Sequence, residues 1–197
     1  RNVTRIVAGT AGGHRIDVPR SGTRPTSERV REALFARLEH YGIVEGARVL
    51  DLCAGSGALG LEAASRGADD VTLVDSARSA VAVCQRNIRS LGLKGVRAVS
   101  AKATTFLKGA TGAPVDLVLI DPPYDLSEAD LTMMLTALAR SIDPWLAPGA
   151  VVVVERSFRS PEPTWPKRLE RFSDKRYGES VLWFAEPAPM PDDPGTG

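Results

Sequence analysis

A strand that runs into a glycine-rich turn and then a helix is the feature that most narrows what this chain can become. Residues Val49-Leu50-Asp51-Leu52 form an apolar strand, and Asp51-Leu52-Cys53-Ala54-Gly55-Ser56-Gly57 carries it into a helical pattern at 59–66. Glycines let the backbone turn sharply and approach a ligand closely, and the first turn of the helix offers free N–H groups. Such a turn belongs to parallel sheets whose crossovers are helices. The rest of the middle agrees: apolar strands at 48–53, 70–75, 96–100, 115–121 and 151–156 alternate with helical stretches at 59–66, 79–91 and 130–142. The expectation is an α/β fold, a mostly parallel sheet covered by helices through right-handed crossovers. Segments 167–177 and 180–185 are expected to close it as an antiparallel pair.

Ahead of this core, stretches 5–8 and 14–18 flank Gly9, Gly12 and Gly13, which predicts a β-hairpin. A turn at Arg24-Pro25 then leads to a helix over 27–41 with Thr26 or Ser27 as N-cap. Val30, Leu34, Leu38 and Tyr41 give that helix a core-facing stripe. Pro187, Pro189, Pro191 and Pro194 mark the end as a disordered tail. The chain thus divides into a hairpin extension (1–24), a main domain (25–185) and a tail (186–197).

At 197 residues, 43% hydrophobic and 25% charged, the sequence has the composition of one ordinary globular domain. No apolar run is long enough to span a membrane, and the start lacks the apolar segment of a secretory signal. Cys53 and Cys84 cannot make a structural zinc site alone, so reduced thiols, no metal and a cytoplasmic location are expected. The net charge of +1 hides an uneven distribution. Residues 1–31 hold seven arginines against Asp17 and Glu28, and residues 156–176 hold seven basic residues against three acids. Such ends suit a polyanion, or are simply solvated surface.

Gly55, Gly57 and Gly60 also satisfy G-x-G-x-x-G, so a dinucleotide must be weighed. Asp75, twenty residues beyond Gly55 at the end of the next strand, suits the ribose hydroxyls of any adenosine. Asp51 separates the readings. A carboxylate repels a pyrophosphate, whereas S-adenosylmethionine presents a sulfonium and an ammonium. The loop therefore favours S-adenosylmethionine, with Asp51, Cys53, Ala54, Gly55, Ser56, Gly57, Leu59, Asp75 and Ser76 as its candidate partners.

Asp121-Pro122-Pro123-Tyr124 ends the strand at 115–121, and carboxyl ends of parallel strands are where such sheets place ligands. Two prolines fix the chain direction and remove two donors. Their carbonyls and the Asp121 carboxylate become rigid acceptors, and Tyr124 offers a face for an extruded base. An exocyclic amine held by such acceptors can be aimed at a methyl group for in-line displacement, with positioning as the main contribution. The motif does not tell adenine from guanine.

With both motifs in place, the sequence resembles class I methyltransferases acting on amino nitrogens. The likeness extends through Arg24-Pro25-Thr26-Ser27-Glu28-Arg29-Val30-Arg31-Glu32-Ala33-Leu34-Phe35, Leu59-Gly60-Leu61-Glu62-Ala63 and Ser65-Arg66-Gly67-Ala68. Taken over 5–184, it is similar to the bacterial small-subunit ribosomal RNA guanine-N2 methyltransferases. That resemblance implies a Rossmann-like, seven-stranded sheet with helices on both faces and a hairpin extension. It implies one guanine of 16S ribosomal RNA as target, within a partly or fully assembled small subunit, and a monomeric enzyme. Similar enzymes often carry an acid near the adenine amino group after the third strand. Here Ala101-Lys102-Ala103 stands there, and Lys102 cannot accept a hydrogen bond. Lys102, Ala103 and Thr104 are nonetheless expected beside the cofactor.

Arg5, Arg15, Arg24, Thr26, Arg29, Arg31, Arg156, Lys175 and Arg176 are the expected RNA contacts, with Tyr177 stacking. Arg31 also lies at helical spacing from Glu28, an alternative surface pair. Three competing functions are weaker. A DNA amino-methyltransferase needs an additional recognition region, and a glutamine methyltransferase usually has Asn where Asp121 stands. A non-catalytic RNA-binding module would not need Asp51, Asp75 and Asp121 together.

Overall fold

In the computed structural model, which describes residues 3–20 and 26–189, the first two strands are short. β1 (Val3–Arg5) and β2 (Arg15–Asp17) pair antiparallel as a hairpin, with the first strand at 3–5 rather than the expected 5–8. The chain continues through α1 (Glu28–His40), β3 (Arg48–Leu52), α2 (Ala58–Ser65), β4 (Asp70–Asp75), α3 (Arg78–Leu91) and β5 (Val96–Ser100). It ends with α4 (Ala103–Leu107), β6 (Val115–Ile120), α5 (Glu128–Leu138), β7 (Leu146–Ser157), β8 (Leu169–Tyr177) and β9 (Ser180–Pro187). One seven-stranded sheet results, in the order β5-β4-β3-β6-β7-β9-β8. The first five are parallel, and β9 pairs antiparallel with both β7 and β8.

Strand parity builds two cores. Val49, Leu73, Leu117, Leu119 and Val153 point to one face, under α1, α2, α3 and the hairpin. Leu50, Leu52, Val118, Ile120 and Val154 point to the other, under α4 and α5. Strands buried on both faces read as continuous apolar runs, as β6 does. The sheet is therefore Rossmann-like, with helices on both faces as expected.

Several boundaries differ from the sequence reading. Ser27, not Thr26, caps α1, its hydroxyl accepting from Val30 N at 3.2 Å. Tyr41 ends the helix half-exposed, edge-on to Phe172 and Phe184, while Phe35 joins Val30, Leu34 and Leu38 in the core. Ser127 starts α5 earlier than its apolar pattern suggests, and the helix stops at Leu138. β7 begins at Leu146, and the short helix α4 was not expected. The tail does not start at 186: Glu186 and Pro187 pair with Glu170 and Leu169, and Ala188 N donates to the Arg168 carbonyl at 2.7 Å. The predicted Arg24-Pro25 turn and the tail beyond 189 lie outside the described residues.

One buried carboxylate ties the hairpin to both α1 and α2. Glu62 on α2 is fully buried and accepts from Arg31 Nε at 3.0 Å, Arg66 Nε at 2.9 Å, Val7 N at 2.8 Å and Ala8 N at 3.1 Å. Arg31 Nη2 also donates to the Arg5 carbonyl. Arg31 is therefore neither an RNA contact nor a partner of Glu28: it is wholly buried. Gly9 turns with φ +82, and a Cβ there would lie 1.9 Å from the Ser65 carbonyl oxygen, so only glycine fits. Removing one partner of a buried ion pair costs about 3–5 kcal/mol. Glu62→Ala is expected to lower stability by that amount in urea unfolding, and Glu62→Gln by less.

Candidate active site

The glycine loop keeps its shape through side chains from β4 and α3. Asp75, at the end of β4, accepts Gly55 N and Ala77 N, each at 2.9 Å. Asn87 on α3 donates to the carbonyls of Ser56 and Asp17, both at 2.9 Å, and accepts Asp17 N at 2.9 Å. It thereby ties loop, helix and hairpin together. Cys84 donates to the Gly55 carbonyl at 3.2 Å. Gly57 has φ +85, and a Cβ there would meet Leu73 Cδ1 at 2.9 Å.

Loop and Asp-Pro-Pro-Tyr motif open into one cavity of about 770 Å³ at the carboxyl edge of the sheet. Of the sequence-predicted residues it gathers Asp51, Cys53, Ala54, Gly55, Ser56, Leu59, Asp121, Pro122, Pro123 and Tyr124. Thr26, Arg29, Arg156, Arg176 and Tyr177 reach its wall as well. Asp75, Ser76, Lys102, Ala103 and Thr104 lie beyond that lining, along the adjoining ends of β4 and β5; Ala101 N donates to the Asp75 carbonyl at 3.0 Å. Gly57 sits beneath the loop rather than on its surface. Arg5, Arg15 and Lys175 are exposed and lie away from the cavity.

The site is rich in acceptors. Asp51 is 1% exposed; its Oδ2 accepts Gly60 N at 3.0 Å, while its Oδ1 is buried with no hydrogen-bond partner among the described residues. Burial, opposed by the Gly60 bond and helped by the nearby Asp75 charge, pushes its carboxyl up to about 8. An orphaned buried acceptor calls for a donor or a cation. Burial is also the main reason the Cys53 thiol is pushed up to about 12, with the charges of Asp51, Asp75 and Asp121 adding to it. That thiol stays neutral and is not a nucleophile.

Asp121 departs most from its sequence picture. Its Oδ2 touches the Thr26 hydroxyl, which in turn lies 2.6 Å from Glu155 Oε2. Burial, then the charge of Glu155, raise the Asp121 carboxyl well above the ordinary range, against the lowering effect of the Thr26 hydrogen bond. Glu155 was missed in the sequence, although it ends the apolar run of β7 at the same edge as Asp121. Thr26 is corrected from an RNA contact to the bridge between these two carboxyl groups.

Arg156 is corrected too. Its side chain is 5% exposed and its Nη2 donates to Glu128 Oε1 at 2.5 Å and to the Leu126 carbonyl at 3.1 Å. It braces the segment after Tyr124 instead of reaching for phosphate. Tyr124 itself is 69% exposed, a free aromatic face at the cavity mouth. Arg176 lies 4.1 Å over the Phe158 ring, with Nε donating to the Gly178 carbonyl. Arg24 lies outside the described residues.

Comparison with known proteins places this geometry. The family described as Conserved hypothetical protein 95 matches residues 4–186. Ribosomal RNA small subunit methyltransferase D of Escherichia coli is 36% identical over 176 residues, covering 89% of this chain and 85% of that protein. A solved structure described as putative methyltransferase yhhF from Escherichia coli superposes with a TM-score of 0.81 at 33% identity, covering 96% of this chain and 100% of that one. A hypothetical protein of Thermus thermophilus, TTHA0928, gives 0.76 at 34% identity, over 92% and 98%.

An acid whose folded-state carboxyl is raised binds a proton that the unfolded chain has released. Between pH 4 and about 8, Asp51 therefore costs more stability as pH rises. Asp51→Asn is expected to be more stable than the parent at pH 8 in urea unfolding, by on the order of a few kcal/mol, with the gap closing toward pH 4.

Proposed function

The chain belongs to the Conserved hypothetical protein 95 family, which matches nearly its whole length, and on that premise we propose that it methylates the exocyclic N2 of a guanine in 16S ribosomal RNA. The observation that carries the reading is that one cavity is lined both by Asp51 and by the Asp121-Pro122-Pro123 acceptors. Relatives named as small-subunit ribosomal RNA methyltransferases support it.

S-adenosylmethionine would supply a methyl group made electrophilic by its sulfonium. The residues fit it: Asp51 Oδ1 is a buried acceptor with no partner among the described residues, suited to a cationic ligand and unsuited to a pyrophosphate. The glycine loop would carry the backbone contacts, Asp75 and Ser76 the ribose, and the Lys102–Ala103–Thr104 stretch the adenine side.

Asp121 and the proline carbonyls accept the N–H groups of the target amine and so aim its nitrogen. Tyr124 stacks on the extruded base. Arg29, Arg176 and Tyr177 at the cavity rim, with Arg5, Arg15 and Lys175 outside it, contact the RNA. Arg15 shares a shallow recess with Arg86 and Arg89, which extends the basic surface of the hairpin. The hairpin serves as an RNA-contacting extension of a methyltransferase domain over residues 25–185. The enzyme acts as a cytoplasmic monomer on a partly or fully assembled small subunit.

The decisive experiment incubates the protein and S-adenosylmethionine with small subunits from a strain lacking it, then maps the modified nucleotide. One N2-methylguanine is expected; methylation of adenine N6, or of no nucleotide, overturns the reading. Asp121→Ala should lower the rate by about a hundredfold or more with the fold intact, because misplacing reacting atoms by an ångström costs that much. Cofactor affinity should rise between pH 6 and 8 by up to about tenfold per unit as Asp51 ionises, and be flat in Asp51→Asn. Replacing Arg5 and Arg15 by Glu should weaken subunit binding most at low salt.

A further inference from the structure

Around Thr26, counting hydrogens decides where a proton sits. The hydroxyl carries one hydrogen, yet it has a carboxyl oxygen on each side: Asp121 Oδ2 in direct contact and Glu155 Oε2 at 2.6 Å. An ionised carboxylate only accepts. Two ionised carboxylates would leave one of these close oxygen pairs with no hydrogen between them. One carboxyl group therefore holds a proton; Thr26 Oγ1 can take it while giving its own hydrogen to the other, and a direct Asp121–Glu155 hydrogen bond adds to the sharing.

Asp121 is the protonated member. Burial disfavours its charge, and Glu155 and Asp51 both repel it. Glu155, partly open to the cavity, is then the end that accepts the Thr26 hydrogen. The other charged side chains lining the cavity have partners of their own or face solvent. Arg156 is held by Glu128, Arg176 by Phe158 and the Gly178 carbonyl, and Arg29 and Glu179 are exposed on α1 and the β8–β9 turn.

We infer that Asp121, Thr26 and Glu155 form a proton relay that drains the target amine during methylation, with Glu155 as its terminal base. The inference rests on the amino-nitrogen reading above and goes beyond it, because it assigns the base. A neutral amine that gains a methyl group has one bond too many. Its N–H bond breaks, the bonding pair stays on nitrogen, and the proton forms an O–H bond at the second carboxyl oxygen of Asp121. The proton on Asp121 Oδ2 moves to Thr26 Oγ1, and the Thr26 hydrogen moves to Glu155 Oε2. Asp121 and Thr26 finish with the hydrogens they began with. Glu155 alone gains one and passes it to water. A buried neutral acid thus works as a base without ever ionising.

Two measurements test this. In cofactor-free protein labelled with 13C at the aspartate and glutamate carboxyl carbons, NMR should show the Asp121 signal at the position of a neutral acid at pH 7, identified by its loss in Asp121→Asn. An ionised Asp121 at that pH overturns the relay. In single-turnover assays with small subunits, Thr26→Val and Glu155→Gln should each slow methyl transfer by about a hundredfold or more, the usual contribution of a positioned proton acceptor, with cofactor and subunit affinities unchanged. Thr26→Ser, which keeps the hydroxyl, should recover most of the rate. Thr26→Val as fast as Thr26→Ser sinks the relay, and does so even if Glu155→Gln fails to fold. A parent protein that methylates no guanine would instead sink the proposed function, whereas an active parent matched in rate by Glu155→Gln removes the relay alone.

Discussion

The carboxylate of Glu62 is the point on which the arrangement of this chain turns. Burying a charge costs several kcal/mol unless donors surround it, and here four converge: two arginine Nε groups and two backbone N–H groups. Those donors come from α1, from the end of α2 and from the chain just after β1. The hairpin and the first helix are thereby fixed to the helix that begins at the glycine loop. Asn87 makes a second link, joining β2 directly to the loop carbonyl of Ser56. Anything that grips the hairpin is mechanically connected to the loop.

The same anchoring sets the electrostatics of the site. With α1 held in place, Thr26 at its approach meets Asp121 and Glu155 from two neighbouring parallel strands. Asp51 lies one strand further along the edge. Asp51, Asp121 and Glu155 thus share the wall of one cavity, and like charges so close cannot all ionise. The cavity accordingly offers acceptors in excess of donors. It suits a cation on the Asp51 side and an amine on the Asp121 side, while the basic groups remain at the rim or, like Arg156, are used internally.

Strand parity, the glycine loop and the Asp-Pro-Pro-Tyr turn were legible in the sequence because each is a local pattern. Val49 and Leu50 face opposite cores by pleat alone, and Gly57 declares its left-handed turn by having no Cβ. Ser27 as cap and the limits of α5 were nearly legible, since caps depend on a few neighbouring residues. Arg31 and Arg156 were misread because a guanidinium looks the same in sequence whether it meets solvent or a buried carboxylate. Which one it meets depends on Glu62, thirty-one residues away, or on Glu128, twenty-eight residues away.

What the sequence determined by itself was the class of sheet, the edge that carries the glycine loop and the Asp-Pro-Pro-Tyr turn, and two acids, Asp51 and Asp121, at the ends of parallel strands. Tertiary structure decided the protonation and the company of those acids. Thr26 and Glu155 stand 95 residues before and 34 residues after Asp121 in the chain, and no local periodicity brings them together. Only the docking of α1 beside the carboxyl ends of β6 and β7 does so, and with it comes the proton that those close oxygens must share.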